Sequence, residues 1–229
     1  VIGMNTAAVL RKDAHAILAA SGRFGRFKAE PEQQIRQAQV QMNPKLAEIV
    51  DAWEYMRGFP LLTFESLSSV SSRSVRGLSL SPEDVENFSL FMHNLQGQEG
   101  FSWAIGCFLS ALANQCSGQD VRIHTSNLDE AIGFIGSWNR ANLTIVGDTY
   151  DAPGFEMLGG RLVIEGSVNH WAGKGMTGGS IIINGHAGNQ VGDEMKGGEI
   201  HLDGDFWSIS ENIKGGKIFH DGRQIWPGS

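Results

Sequence analysis

Gly178-Gly179-Ser180-Ile181-Ile182-Ile183-Asn184-Gly185-His186-Ala187-Gly188-Asn189-Gln190-Val191-Gly192-Asp193-Glu194-Met195 is the stretch that decides the fold. Ile181 and Ile183 alternate with Ser180, Ile182 and Asn184, the two-residue period of a β-strand. Glycines bracket that strand on both sides, then recur at 188 and 192 before Met195. A strand advances about 3.3 Å per residue, so one this short cannot enclose a core. It needs copies of itself.

The copies are present. Gly159-Gly160, Gly178-Gly179, Gly197-Gly198 and Gly215-Gly216 recur at intervals of 19, 19 and 18 residues. A strand pattern follows each pair: Arg161–Glu165, Ser180–Asn184, Glu199–Asp203 and Lys217–Asp221. A single glycine closes each one, at 166, 185, 204 and 222. Met157, Met176, Met195 and Ile213 precede the pairs at one fixed offset, and Leu143 to Gly147 fits an earlier coil. Repetition at such a period is the signature of a solenoid, in which each unit buries its apolar face only against its neighbours. Stacked coils then align Leu143/Ile145, Leu162/Ile164, Ile181/Ile183 and Ile200/Leu202 as two inward ladders, with the Met157/Met176/Met195/Ile213 column as a third. Residues 141–229 are expected to form a short right-handed parallel β-helix of about five coils, with residues 219–227 as its closing cap.

The consensus Gly-Gly-x-Ile-x-Ile-x-Gly, with a Gly-x-x-x-Gly step before Met, resembles one known family. It is similar to the Gly-x-Gly-x-Gly β-helix shared by the C-terminal domain of glutamate synthase and the β-helical subunit of formylmethanofuran dehydrogenase. The resemblance covers residues 141–222. It implies a component of a multi-subunit oxidoreductase that organises its neighbours while the redox chemistry sits elsewhere. Asp205-Phe206-Trp207-Ser208-Ile209-Ser210 departs from it by losing the inner glycines.

Outward from the repeat, residues 1–119 read as mainly helical, so the whole chain is of α+β class. Leu10, Ala14, Ile17 and Leu18 share one face of a helix ending at Gly22. Leu46, Ile49, Val50, Trp53 and Met56 share another, closed by Gly58 and Pro60. Residues 66–81 are half serine and read as a connection. Ser81-Pro82-Glu83-Asp84 is a helix start, with a capping hydroxyl, proline at the first position and acids facing the dipole. Phe101, Ile105, Phe108, Leu109 and Leu112 give a further helical face ending near Gly118. Residues 120–140 read as a strand at Val121 and Ile123, then a helix over 128–138 capping the coils.

Composition narrows the function. The net charge is −7 without any block of Lys and Arg, so neither nucleic acid nor an anionic membrane surface is the expected partner. No apolar run approaches the roughly 20 residues that span a bilayer, and Arg11, Lys12, Asp13 and His15 interrupt any signal-peptide pattern. Cys107 and Cys116 stand nine residues apart in a helical stretch, too far for a disulfide and too few for a cluster. They read as buried hydrophobes, and a cytoplasmic location is expected.

No cofactor or metal is expected. Gly173-Lys174-Gly175-Met176-Thr177-Gly178 matches the dinucleotide fingerprint, but that motif must open a helix, and here the strand at Ile181 follows. His15, His93, His124, His170, His186, His201 and His220 lack metal-ligand spacing. The stacked turns nevertheless bring Asn169, His170, Trp171 and Lys174 of one coil beside His186 and Asn189 of the next. These six define the candidate ligand or partner surface. The expected function is a non-catalytic scaffold that meets a protein partner or a further copy of itself. The alternative is a small enzyme or ligand-binding protein with its site between the helical half and the coils.

Overall fold

The computed structural model describes residues 40–59, 64–98, 100–116 and 118–227. The helix expected over Leu10–Leu18 lies outside the described residues. Four helices open the described part: α1 (Pro44–Arg57), α2 (Phe64–Ser74), α3 (Pro82–Phe91, continued by a 3-10 turn at Met92–Leu95) and α4 (Phe101–Gln115). Seven strands follow, β1 (Asp120–His124), β2 (Asn142–Val146), β3 (Arg161–Ile164), β4 (Ser180–Ile183), β5 (Lys196–Leu202), β6 (Gly215–His220) and β7 (Arg223–Trp226). They form one sheet in sequence order. The protein is a helical region followed by a parallel β-solenoid of about five turns.

Helix starts follow the local chemistry. At α3 the Ser81 hydroxyl accepts from the Asp84 N–H at 3.2 Å, and the Asp84 carboxylate accepts from the Ser81 N–H at 2.9 Å. Such a reciprocal box satisfies two otherwise unpaired donors. At α1 the Asn43 side chain accepts from the Leu46 N–H, with Pro44 in the first helical position.

Two expectations fail in the helical reading. The serine-rich stretch expected as a connection is largely α2. Leu67 and Val70 turn inward on it, as does Val75 just past its end, and the buried Ser71 hydroxyl donates to Met56 Sδ at 3.2 Å. Serine is a weak helix former because its hydroxyl competes for backbone groups; here Ser71 is instead committed to a tertiary partner. The helix expected over 128–138 does not form. Gly136 (φ +76°), Phe134 (φ +59°) and Trp138 (φ +51°) occupy the left-handed region, which no right-handed helix contains. Ile132 and Ile135 are buried as solenoid turn residues, and their spacing of three imitates a helix face. Residues 120–140 are thus the first coil, joined by β1 to β2 in parallel.

The parallel register follows the repeat: Asn142, Arg161, Ser180, Glu199 and Lys217 lie one above another. Ile145, Leu162, Ile164, Ile181, Ile183 and Ile200 are fully buried, and Leu143 and Leu202 nearly so. Each contributes about 1.5–3 kcal/mol by leaving water. Met157, Met176 and Met195 are fully buried, while Ile213 is only half-buried at the end of the column. Asn139 begins that column and satisfies its own buried amide by bonding both backbone groups of Ala141.

One glycine column explains the width of the core. A Cβ at Gly154 would stand 2.5 Å from Ile181 Cδ1, and one at Gly173 would stand 2.6 Å from Ile200 Cδ1. Both glycines have φ +70°. The strand aliphatics therefore reach across the coil to backbone on the far side, with no room for a methyl group between.

Both ends of the stack are covered. At the start, α4 lies so close that a Cβ on Gly106 would be 1.9 Å from the Gly133 carbonyl oxygen. The Ser110 hydroxyl accepts there from the Gly136 N–H at 2.8 Å. Beside it, the His124 N–H donates to Ser89 Oγ at 3.0 Å, and its imidazole Nε2 meets Glu86 Oε1 at 2.9 Å. At the far end, β7 turns back antiparallel onto β6, so the expected closing cap is a hairpin. Phe219 stacks there on His201 at 4.7 Å, and His220 faces the other way, onto Phe206.

Candidate functional site

The turns opposite the strand ladder stack as strictly as the strands do. Phe134, Ala152, Trp171 and Gln190 all hold left-handed backbone, with φ between +52° and +62°. Their N–H groups bond from coil to coil: Phe134 to the Asp151 carbonyl, Ala152 to that of His170 and Trp171 to that of Asn189. Side chains on these turns are thereby held in fixed rows.

Of the six residues singled out from sequence, Asn169, His170 and Asn189 join one network. Asn169 Nδ2 donates to Asp151 Oδ1 at 2.8 Å, and the His170 N–H donates to the same oxygen at 3.2 Å. The Asn189 N–H donates to His170 Nδ1 at 3.1 Å, so the neutral imidazole carries its hydrogen on Nε2. Ser208 Oγ donates to Asn189 Oδ1 and accepts from the Gln190 N–H. Burial pushes the Asp151 carboxyl above its ordinary value, outweighing the bonds from Asn169 and the His170 N–H that act the other way.

Trp171 is 39% exposed with its ring against His170 at 5.6 Å. His186 is buried rather than displayed, and Trp207 covers it at 5.3 Å. Lys174 belongs to a second cluster: its Nζ is bonded to Asp193 and lies 3.9 Å from Glu194. Burial alone would raise the Asp193 carboxyl, but bonds from Lys174 and Ser210, the charge of Lys174 and a bond from Asn212 hold it below the usual range.

Asp151, Trp207 and Ser208 are site residues that the sequence alone did not single out. Their signal lies in the repeat itself. Asp151 precedes His170 by 19 residues, Ser208 follows Asn189 by 19, and Trp207 follows Gly188 by 19. The loss of glycines after residue 204 masks that register.

Little else offers a site. Among the described residues no group of three or more His, Cys, Asp or Glu side chains is arranged to hold a metal ion, and no helix is long and apolar enough to cross a membrane. A cavity of about 620 Å³ lies on the helical half, lined by Asn43, Glu83, Glu86, Asn87 and Leu90 among others. At the junction of the two halves, Gly106 meets Gly133 backbone to backbone, which leaves no ligand site at that contact.

The fold and its turns define a helix-capped β-solenoid with a polar and aromatic edge. No family model, curated protein or solved structure matches this chain.

Proposed function

We propose that the protein is a non-catalytic scaffold or interaction subunit, akin to the β-helix components of glutamate synthase and formylmethanofuran dehydrogenase. One observation carries this reading. The charged side chains of the turns are committed to the neighbouring coil: Asp151 to Asn169 and His170, and Lys174 to Asp193. A catalytic group must keep an atom and some freedom for the substrate. These groups brace a rigid body.

The helical half is the side that meets a protein partner. Met42 and Tyr55 are 53% and 52% exposed there, Met42 standing between Gln41 and Asn43 of the cavity that Glu83 and Glu86 also line. Exposed large apolar side chains rimmed by polar groups favour association. Cys107 and Cys116 are both free and buried, which suits a reducing compartment such as the cytoplasm.

The test is native pull-down of the full chain from its source cells, followed by mass spectrometry. A stoichiometric partner is expected, and Met42→Asp with Tyr55→Asp should release it. A chain recovered alone and turning over a substrate would overturn the reading.

A further inference from the structure

The turn edge holds two exposed indoles in a way that packing does not require. Trp207 is 48% exposed, yet its ring is fixed against two imidazoles of preceding coils, His186 at 5.3 Å and His170 at 5.9 Å. Gly188 makes this possible. Its position lies one coil before Trp207, and a Cβ there would fall 1.6 Å from the Asn169 carbonyl oxygen and 2.9 Å from His170 Nδ1. Without a side chain, this turn closes directly onto the backbone of Asn169 and the ring of His170, and Trp207 meets that ring and His186 from the following coil. Trp171 meets the same His170 ring at 5.6 Å. Two partly exposed indoles are thus held at fixed positions around one imidazole.

The polar groups between and beside them are largely uncharged and partly unused. His170 Nε2, Asn189 Nδ2 and the Gln190 amide make no hydrogen bond among the described residues, although His170 Nδ1 and Asn189 Oδ1 are bonded and hold their groups in place. The lysine of this edge offers no free cation, because Lys174 is tied to Asp193. The cavity described above lies on the helical half and not here, so a small ligand on this edge would remain mostly in water.

We propose that this edge binds a neutral polysaccharide, laid across successive coils. An indole face carries negative quadrupole charge and attracts the polarised C–H groups on the flat side of a pyranose ring. Imidazole and amide groups beside it exchange hydrogen bonds with hydroxyls. The site is rigid before binding, which lowers the ordering cost of association. The protein's net charge of −7 disfavours uronic-acid polymers, so the bound polymer is an uncharged one. This is a separate function from the protein contact of the helical half, and it does not depend on that contact.

The experiment is native electrophoresis of the full chain in gels cast with hydroxyethyl cellulose, galactomannan, dextran or polygalacturonate, against albumin as a non-binding reference. At least one neutral polymer should retard the protein. Trp171→Ala and Trp207→Ala should each weaken that retardation about tenfold, and Trp207→Phe should keep a substantial part of it. Lys174→Ala should leave it unchanged. Thermal melts of each variant separate loss of binding from loss of fold. No retardation by any neutral polymer overturns the proposal, as does retardation by polygalacturonate alone or retardation unaltered in both Trp→Ala variants. If those variants instead lose a captured protein, the edge is a polypeptide contact, and the scaffold reading stands without the saccharide.

Discussion

The two halves of this molecule solve burial in opposite ways. In the helical half a few large rings meet once: Trp53 packs edge-on against Phe101 and Phe108, and Phe108 against Phe88, at 5.5 to 6.1 Å. In the solenoid small solutions recur, with two strand aliphatics, a methionine at 157, 176 and 195, and a turn glycine repeating the contact of the last coil. The helical core is therefore deep and unique, whereas the solenoid core is one residue wide and long. Damage should spread differently in each.

The largest effect is expected from Met176→Asp. Met176 is fully buried, with its ε-methyl close to Gly198, and an unpaired carboxylate there has neither water nor a partner. Circular dichroism should show loss of the cooperative thermal transition. A melt like that of the native chain would mean the column can open to solvent, and the contrast between halves would collapse.

Phe108→Ala should cost about 3–5 kcal/mol, the range for truncating a buried ring. Because solenoid coils couple mainly to nearest neighbours, hydrogen exchange should accelerate in α4 and β1 while β4 and β5 stay protected. Uniform acceleration would show that the molecule opens as one unit.

Gly173→Ala places a methyl group against Ile200 on a left-handed backbone, so about 2–4 kcal/mol of combined strain and overpacking is expected. Gly77→Ala is the control from the helical half. Gly77 has φ +87° but nothing within 4 Å of a Cβ, so only the backbone strain of about 1 kcal/mol should appear in urea unfolding. Adding Ile200→Val to Gly173→Ala removes the clashing Cδ1 and should recover part of the difference, as a double-mutant cycle would register.

Asp193→Asn should cost no more than about 1 kcal/mol, as expected for an ion pair near the surface. The folded protein holds this carboxyl below its ordinary value of 3.8. Its contribution is therefore present above that pH and lost as pH falls through the folded value. Melting temperatures of native and variant chains should differ at neutral pH and converge in acid. The smallest effect concerns Cys107, whose thiol burial pushes up to about 12. Iodoacetamide at about pH 8.5 should leave it unmodified until the chain unfolds, since only thiolate reacts. The stability it contributes is present below the ordinary thiol value of 9.0 and declines as pH rises toward 12.

Legibility in the sequence divides along the same line. Ile181, Ile200 and the methionine column can be placed because a repeat states its register several times over. The rows of the turn edge are legible by the same rule where glycines keep time, as at His170 and Asn189. They fade at Trp207 and Ser208, where the glycines stop. In the helical half, Ser81-Pro82-Glu83-Asp84 announces α3 through local bonds. Nothing local announces α2, because its buried Ser71 finds its partner in Met56 of the preceding helix. Ile132 and Ile135 mislead for a related reason: a spacing of three fits a helix face and a solenoid turn alike, and only left-handed φ at Phe134 and Gly136 separates them.

The antiparallel return of β7 has a consequence for molecules meeting one another. A parallel stack offers on its last rung the same row of donors and acceptors that every earlier rung used to recruit its successor, and so invites open-ended growth from chain to chain. By reversing direction against β6, β7 replaces that row with one of a different hydrogen-bond spacing and shifts the register between Ile218 and Phe219. Arg223 and Pro227 stand at either end of the exposed edge, adding a charge and removing a donor. The hairpin thus presents a pairing edge unlike the one by which each earlier coil meets the next.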